Sequence, residues 1–210
     1  MRLFVAVVPP PHVLDHLDLA LAAVRRAAVG PDDPVRWSAR ETWHLTAAFY
    51  GEVPEGAVPA LLAGVEQVCG GTAPYELSLR GAGLFAHRTL WVGASGDVER
   101  QRAVAAALAA AGADGGHAND DRARHRAHLT VGRARPGSRP PRRAGSGRGG
   151  GRPGQPGAEG DGLDPLVRAL AVYAGPRWTV RELSLQQSQP GAGRGGGPRY
   201  TTVRTFPLTG

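Results

Sequence analysis

The chain has 210 residues, 41% of them hydrophobic, which suits a globular protein long enough to bury a core. Its first apolar run, Leu3 to Val8, stops at Pro9-Pro10-Pro11, too soon for a signal segment or a membrane span, and its single cysteine, Cys69, excludes an internal disulfide. The net charge of +7 is local: ten of the 25 arginines and no acid lie between Arg122 and Ala158, whereas elsewhere 15 arginines face 18 acids, so a uniformly basic surface is excluded.

In chain order, Arg2 to Val8 reads as a strand. Val13, Leu14, Leu17, Leu21 and Val24 then recur at helical spacing behind the proline trio, which suits a first turn. Val35 to Trp37 and Trp43 to Phe49 are strand-like. Leu61, Leu62, Val65 and Val68 mark a second helix closed by Gly70-Gly71, with Cys69 on its buried side. Tyr75 to Leu79 and Thr89 to Val92 alternate as strands, with Gly81 to Arg88 expected as a turn between them. A third helix is expected from Asp97 to Ala111, stopped by Gly112, and a strand from His128 to Ala134.

Residues 136 to 160 hold nine glycines and five prolines and are expected to form a flexible Arg/Gly/Pro-rich loop. Leu163, Leu166, Val167, Leu170 and Val172 predict a short helix. Thr179 to Gln187 and Tyr200 to Leu208 predict two closing strands joined by a glycine-rich link. Strands outnumber helices and many links are short, so the expected fold is α+β, mainly antiparallel, over one domain spanning 1–210.

Two tetrapeptides stand out: His44-Leu45-Thr46-Ala47 and His128-Leu129-Thr130-Val131. Each lies in an expected strand that follows an amphipathic helix. Side chains two apart on a strand share a face, so His44 and Thr46 point one way and Leu45 the other, as do His128, Thr130 and Leu129. If the strands are neighbours, two imidazoles and two hydroxyls converge, which is equipment for acid–base chemistry on a phosphate. One His-Leu-Thr alone is a weak signal. Zinc is the next competitor, but its sites draw on three or four His, Cys, Asp or Glu ligands, and threonine is a poor one. The arginine-rich stretch beside the second motif has two readings: a field that speeds encounter with RNA, or compositional drift.

The stretch from His44 to Val53 together with His128-Leu129-Thr130-Val131-Gly132-Arg133 resembles the 2H phosphoesterases, most nearly the RNA 2′,3′-cyclic phosphodiesterases also called 2′-5′ RNA ligases. The resemblance extends to Arg2 through Val7, Leu84-Phe85, Leu90 through Gly93, and Tyr200 through Val203 with Phe206-Pro207-Leu208. It departs at Ala47 and Tyr50, where the family usually has aliphatic residues, and in the segment before His128.

The resemblance implies two pseudo-symmetric lobes with helices packed outside and a cleft between them. It also implies metal-independent opening of RNA 2′,3′-cyclic phosphate ends to 2′-phosphates, with no cofactor. His44 would be the proton donor and His128 the proton acceptor, with Thr46 and Thr130 bonding the nonbridging oxygens and Arg133 as a further phosphate contact. Other substrates fit the same chemistry: small cyclic nucleotides, or 2′-5′ linkages including their reverse ligation. A non-catalytic RNA-binding module is the alternative of another class. A cytoplasmic monomer acting on RNA ends, away from membranes, is the expected setting. His12 and His16 are expected to be solvated, and His87, His117 and His125 to lie outside the chemistry.

Overall fold

The computed structural model describes residues 1–27, 34–114, 126–135 and 163–210. The expected loop at 136–160 and His117 and His125 lie outside these residues.

Alternating and continuous apolar runs form β1 (Arg2–Val7), β2 (Val35–Trp37), β3 (Leu45–Glu52), β4 (Tyr75–Phe85), β5 (Thr89–Gly96), β6 (His128–Ala134), β7 (Ala174–Val180), β8 (Glu182–Gln189) and β9 (Arg199–Pro207). The helices are α1 (Pro11–Ala27), α2 (Val58–Gly70), α3 (Val98–Asp114) and α4 (Asp164–Leu170). All recorded strand pairs are antiparallel, in the order β7-β4-β5-β6-β3-β1-β8-β9, with β2 also pairing β6. The α+β expectation holds.

The two expected lobes are two halves of one sheet, β7-β4-β5-β6 and β3-β1-β8-β9. They meet at a single register pair, Leu45 opposite Leu129. Both leucines are fully buried, each the middle residue of its His-x-Thr. The hydrophobic face of the sheet is covered crosswise. Helix α1 leaves β1 but packs on β7 of the other half, and α3 leaves β5 but packs on β3. Val13, Leu17 and Leu21 of α1 and Leu61, Val65 and Cys69 of α2 are all in the core. This exchange of helices ties the halves together where the sheet alone has one pair of residues. Among the described residues, no helix is long and apolar enough to cross a membrane.

Four boundaries differ from expectation. The strand at Tyr75 does not end at Gly81: Gly81 takes φ +62° beside a bulge, and β4 resumes to Phe85, leaving a tight turn at Ala86 and His87, whose φ values are +47° and +54°. A bulge preserves pairing where glycine composition suggested a turn. Gly112 does not stop α3 but sits buried within it, because a Cβ there would come within 2.5 Å of the Tyr50 ring. Thr179 to Gln187 breaks at Arg181 into two strands that pair with opposite halves of the sheet. Val172, expected within the short helix, is 90% exposed because α4 has already ended at Leu170.

Candidate active site

The pairing of Leu45 with Leu129 dictates the site's layout. Continuing that antiparallel register by one residue each way sets His44 across from Thr130 and Thr46 across from His128. The arrangement is a local pseudo-twofold. All four side chains line one cleft of about 1030 Å³.

Both motifs carry a one-residue bulge at their fourth position. On β3, Thr46 pairs with Ala6 and Ala48 with Val5, so Ala47 is the extra residue. On β6, Thr130 pairs with Trp91 and Gly132 with Leu90, so Val131 is the extra one. The second bulge explains Arg133, which stands an odd number of residues from His128 and by strict alternation would face away. The extra residue shifts the alternation by one, and Arg133 lines the same cleft as His128 and Thr130.

Each imidazole is held in the same way. His44 Nδ1 lies 2.8 Å from the Thr42 carbonyl, and His128 Nδ1 lies 2.8 Å from the Arg126 carbonyl. A carbonyl only accepts, so Nδ1 carries the hydrogen in both rings, and Nε2 is the nitrogen left to exchange a proton. In His44 that Nε2 is 3.1 Å from Thr46 Oγ1. With the ring neutral, the Thr46 hydroxyl donates to it.

Aromatic rings fix both imidazoles. His44 lies 4.9 Å from Phe4 and meets Tyr200 edge-on at 5.2 Å, while Phe4 and Tyr200 themselves touch at 5.0 Å. His128 meets Phe85 edge-on at 4.7 Å and Trp91 at 6.2 Å. The Trp91 indole lies flat across Gly83, where a Cβ would collide with it. The guanidinium of Arg126 covers Trp91 at 5.4 Å.

These surroundings set the electrostatics. Burial pulls the His44 pKa down to about 4; the Thr42 hydrogen bond opposes this, and electrostatic repulsion between the two imidazoles, should both be charged, adds to the depression. Part of the ring's surface still faces the cleft, but its surroundings are mostly protein. Burial raises the Tyr200 hydroxyl above its usual value, against the charges of Arg133 and Arg2.

Of the aromatic residues near the first motif, Trp43 and Tyr50 are core, Phe49 lies under the Arg2 guanidinium, and Trp37 lines the cleft. Cys69 is buried, its thiol pushed up to about 11, unsuited to attack. His12 and His87 are exposed. His16 is more than solvated, since its Nδ1 is 3.3 Å from the Tyr173 hydroxyl. Among the described residues, no three His, Cys, Asp or Glu side chains gather to hold a metal ion. Sequence reasoning missed the four rings around the histidines and the Pro190–Pro198 loop that forms the far wall. Phe4, Phe85, Trp91 and Tyr200 lie in expected or resembling stretches, but only the long-range pairing brings them to the motifs.

Residues 7–91 match the family described as LigT like Phosphoesterase. An RNA 2′,3′-cyclic phosphodiesterase of Geobacillus stearothermophilus is 28% identical over 83% of this chain and 48% of that protein. Another, of Methanothermobacter thermautotrophicus, is 31% identical over 44% of this chain and 50% of that protein. The chain thus spans about half the length of the curated relatives it matches. Among solved structures, a protein of Thermus thermophilus superposes with TM-score 0.66 at 24% identity, covering 100% of this chain and 99% of that one. LigT of E. coli superposes with TM-score 0.66 at 22% identity, covering 100% and 98%.

Proposed function

We propose that this chain, which belongs to the LigT-like (2H) phosphoesterase family, opens RNA 2′,3′-cyclic phosphate ends to 2′-phosphomonoesters without a metal ion. The observation that carries the reading is the pseudo-twofold at Leu45 and Leu129. Two histidines of matching tautomer flank one space, each with a threonine from the opposite motif across from it.

In this reading a cyclic phosphate sits between the two rings. His128, neutral and with its Nδ1 hydrogen committed to the Arg126 carbonyl, takes a proton from water through Nε2 as that water attacks phosphorus. The P–O3′ bond breaks, and His44 Nε2–H gives its proton to the departing 3′ oxygen. The Thr46 and Thr130 hydroxyls donate to the nonbridging oxygens as charge builds there, and Arg133 offsets the net charge.

His44 needs a proton that burial disfavours. The phosphate supplies the remedy: its negative charge beside a poorly solvated imidazole favours the protonated ring. Acid and substrate anion therefore arrive as a pair, and Thr46 is released from His44 Nε2 to turn toward the phosphate. Residues 1–210 act as one bilobal domain around this cleft, with the RNA end as partner.

The test is turnover of an RNA bearing a cyclic phosphate in excess EDTA, with the product identified as the 2′-phosphate. His44→Ala and His128→Ala should each slow it by about 10²- to 10⁴-fold. Wild-type rates in both variants, or complete loss of turnover in EDTA, would reject the proposal.

A further inference from the structure

The cleft is lined by more than the reaction centre. At about 1030 Å³, the space is at the top of the range for pockets that enclose a whole small molecule. Besides the two motifs, residues of β2 and of the loop Pro190–Pro198, which precedes β9, line it. That further lining is basic. Arg36 from β2, Arg194 from the loop and Arg199 at the start of β9 line it, in addition to Arg133, against a single carboxylate, Glu41. None of the four arginines pairs with a described carboxylate, whereas Arg25, Arg40, Arg102 and Arg204 on other surfaces do.

The loop is shaped by its own bonds. Gly193 N–H donates to the Gly197 carbonyl, and Gly197 N–H donates to the Arg194 carbonyl. Gly195 and Gly196 take φ values of +59° and +71°, and a Cβ on either would meet nothing within 4 Å. These glycines therefore serve backbone conformation, not close packing. The loop thus sets Arg194 along the cleft that Arg36 and Arg199 also line, a run of positive charge suited to anionic oxygen.

We propose that this basic lining forms a second phosphate subsite, in which Arg36, Arg194 and Arg199 take the phosphodiester one nucleotide upstream of the cyclic end. The preferred substrate is then an oligonucleotide terminus and not a mononucleoside cyclic phosphate. The inference rests on the reading of the reaction centre given above and adds a requirement to it. A charge-assisted contact to that phosphate favours the longer substrate by about tenfold to a hundredfold.

The experiment compares kcat/KM for a nucleoside 2′,3′-cyclic phosphate and for a dinucleotide ending in the same cyclic nucleoside, in wild type and in Arg36→Ala/Arg194→Ala. Wild type should prefer the dinucleotide by about tenfold or more at low salt, with the preference shrinking as salt rises. The double variant should lose most of that ratio. Equal turnover of both substrates by wild type, or a ratio unchanged in the variant, overturns the subsite and leaves the cyclic-phosphate reading standing. No turnover of either substrate rejects that reading, and the subsite with it.

Discussion

Lowering the pH from about 7.5 to about 5 should weaken the wild-type fold more than that of a His44→Gln variant. The folded-state pKa of His44 is depressed from 6.5 to about 4, so between those values the unfolded chain binds a proton that the folded chain refuses. Stability therefore rises with pH through this window. The contribution is fully present above pH 6.5 and disappears as pH falls toward the folded value of about 4. Integrating from about pH 7.5 to about pH 5 gives roughly 2 kcal/mol, discounted to between about 1 and 2 because the cleft wets part of the ring. Urea midpoints at the two pH values measure it. With a slope of about 2 kcal/mol/M, wild type should lose about 0.5 to 1 M more than His44→Gln. Ionisable groups remote from the cleft are common to both proteins and cancel in the difference. Parallel pH dependence in the two would refute the claim that the fold holds His44 neutral in the empty cleft.

The same depressed pKa should place one limb of the kcat/KM profile near pH 4, since His44 must hold the proton it donates and the free ring holds one only at low pH; a profile with no limb near 4 would contradict the geometry around His44. Thr46→Val and Thr130→Val should each reduce kcat by about 10²- to 10³-fold while KM changes little, since the hydroxyls act where charge develops. Gly112→Ala should destabilise the fold by about 1–3 kcal/mol by driving a methyl into Tyr50, read as a lower urea midpoint with unchanged slope. A neutral result would mean that α3 does not approach β3 so closely.

The two motifs were legible because a strand's period is two. His44, Thr46, His128 and Thr130 needed only alternation to share a face, and Leu45 and Leu129 only hydrophobicity to be buried. Their meeting could not be read locally, since Leu45 and Leu129 pair across 84 positions of the sequence. The site at Arg133 followed from resemblance alone. Its side chain reaches the cleft through a bulge at Val131 that period two does not predict. Glycine misled twice, for one physical reason: at Gly81 it permits a bulge inside a strand, and at Gly112 it makes room for Tyr50 inside a helix. Composition registers the residue but not whether it is there for a turn, a conformation or a neighbour. The aromatic boxes were invisible for the opposite reason. Phe4 and Tyr200 come from the two ends of the chain and touch only because β1, β8 and β9 lie side by side.

Imidazole nitrogen NMR during titration with a nucleoside 2′-phosphate tests the convergence of the two histidines most directly. The Nε2 resonances of His44 and His128 should move together with one binding constant, and the His44 pKa should climb from about 4 as the phosphate binds. Movement of one ring alone, or a His44 pKa indifferent to the nucleotide, would contradict a phosphate held between them.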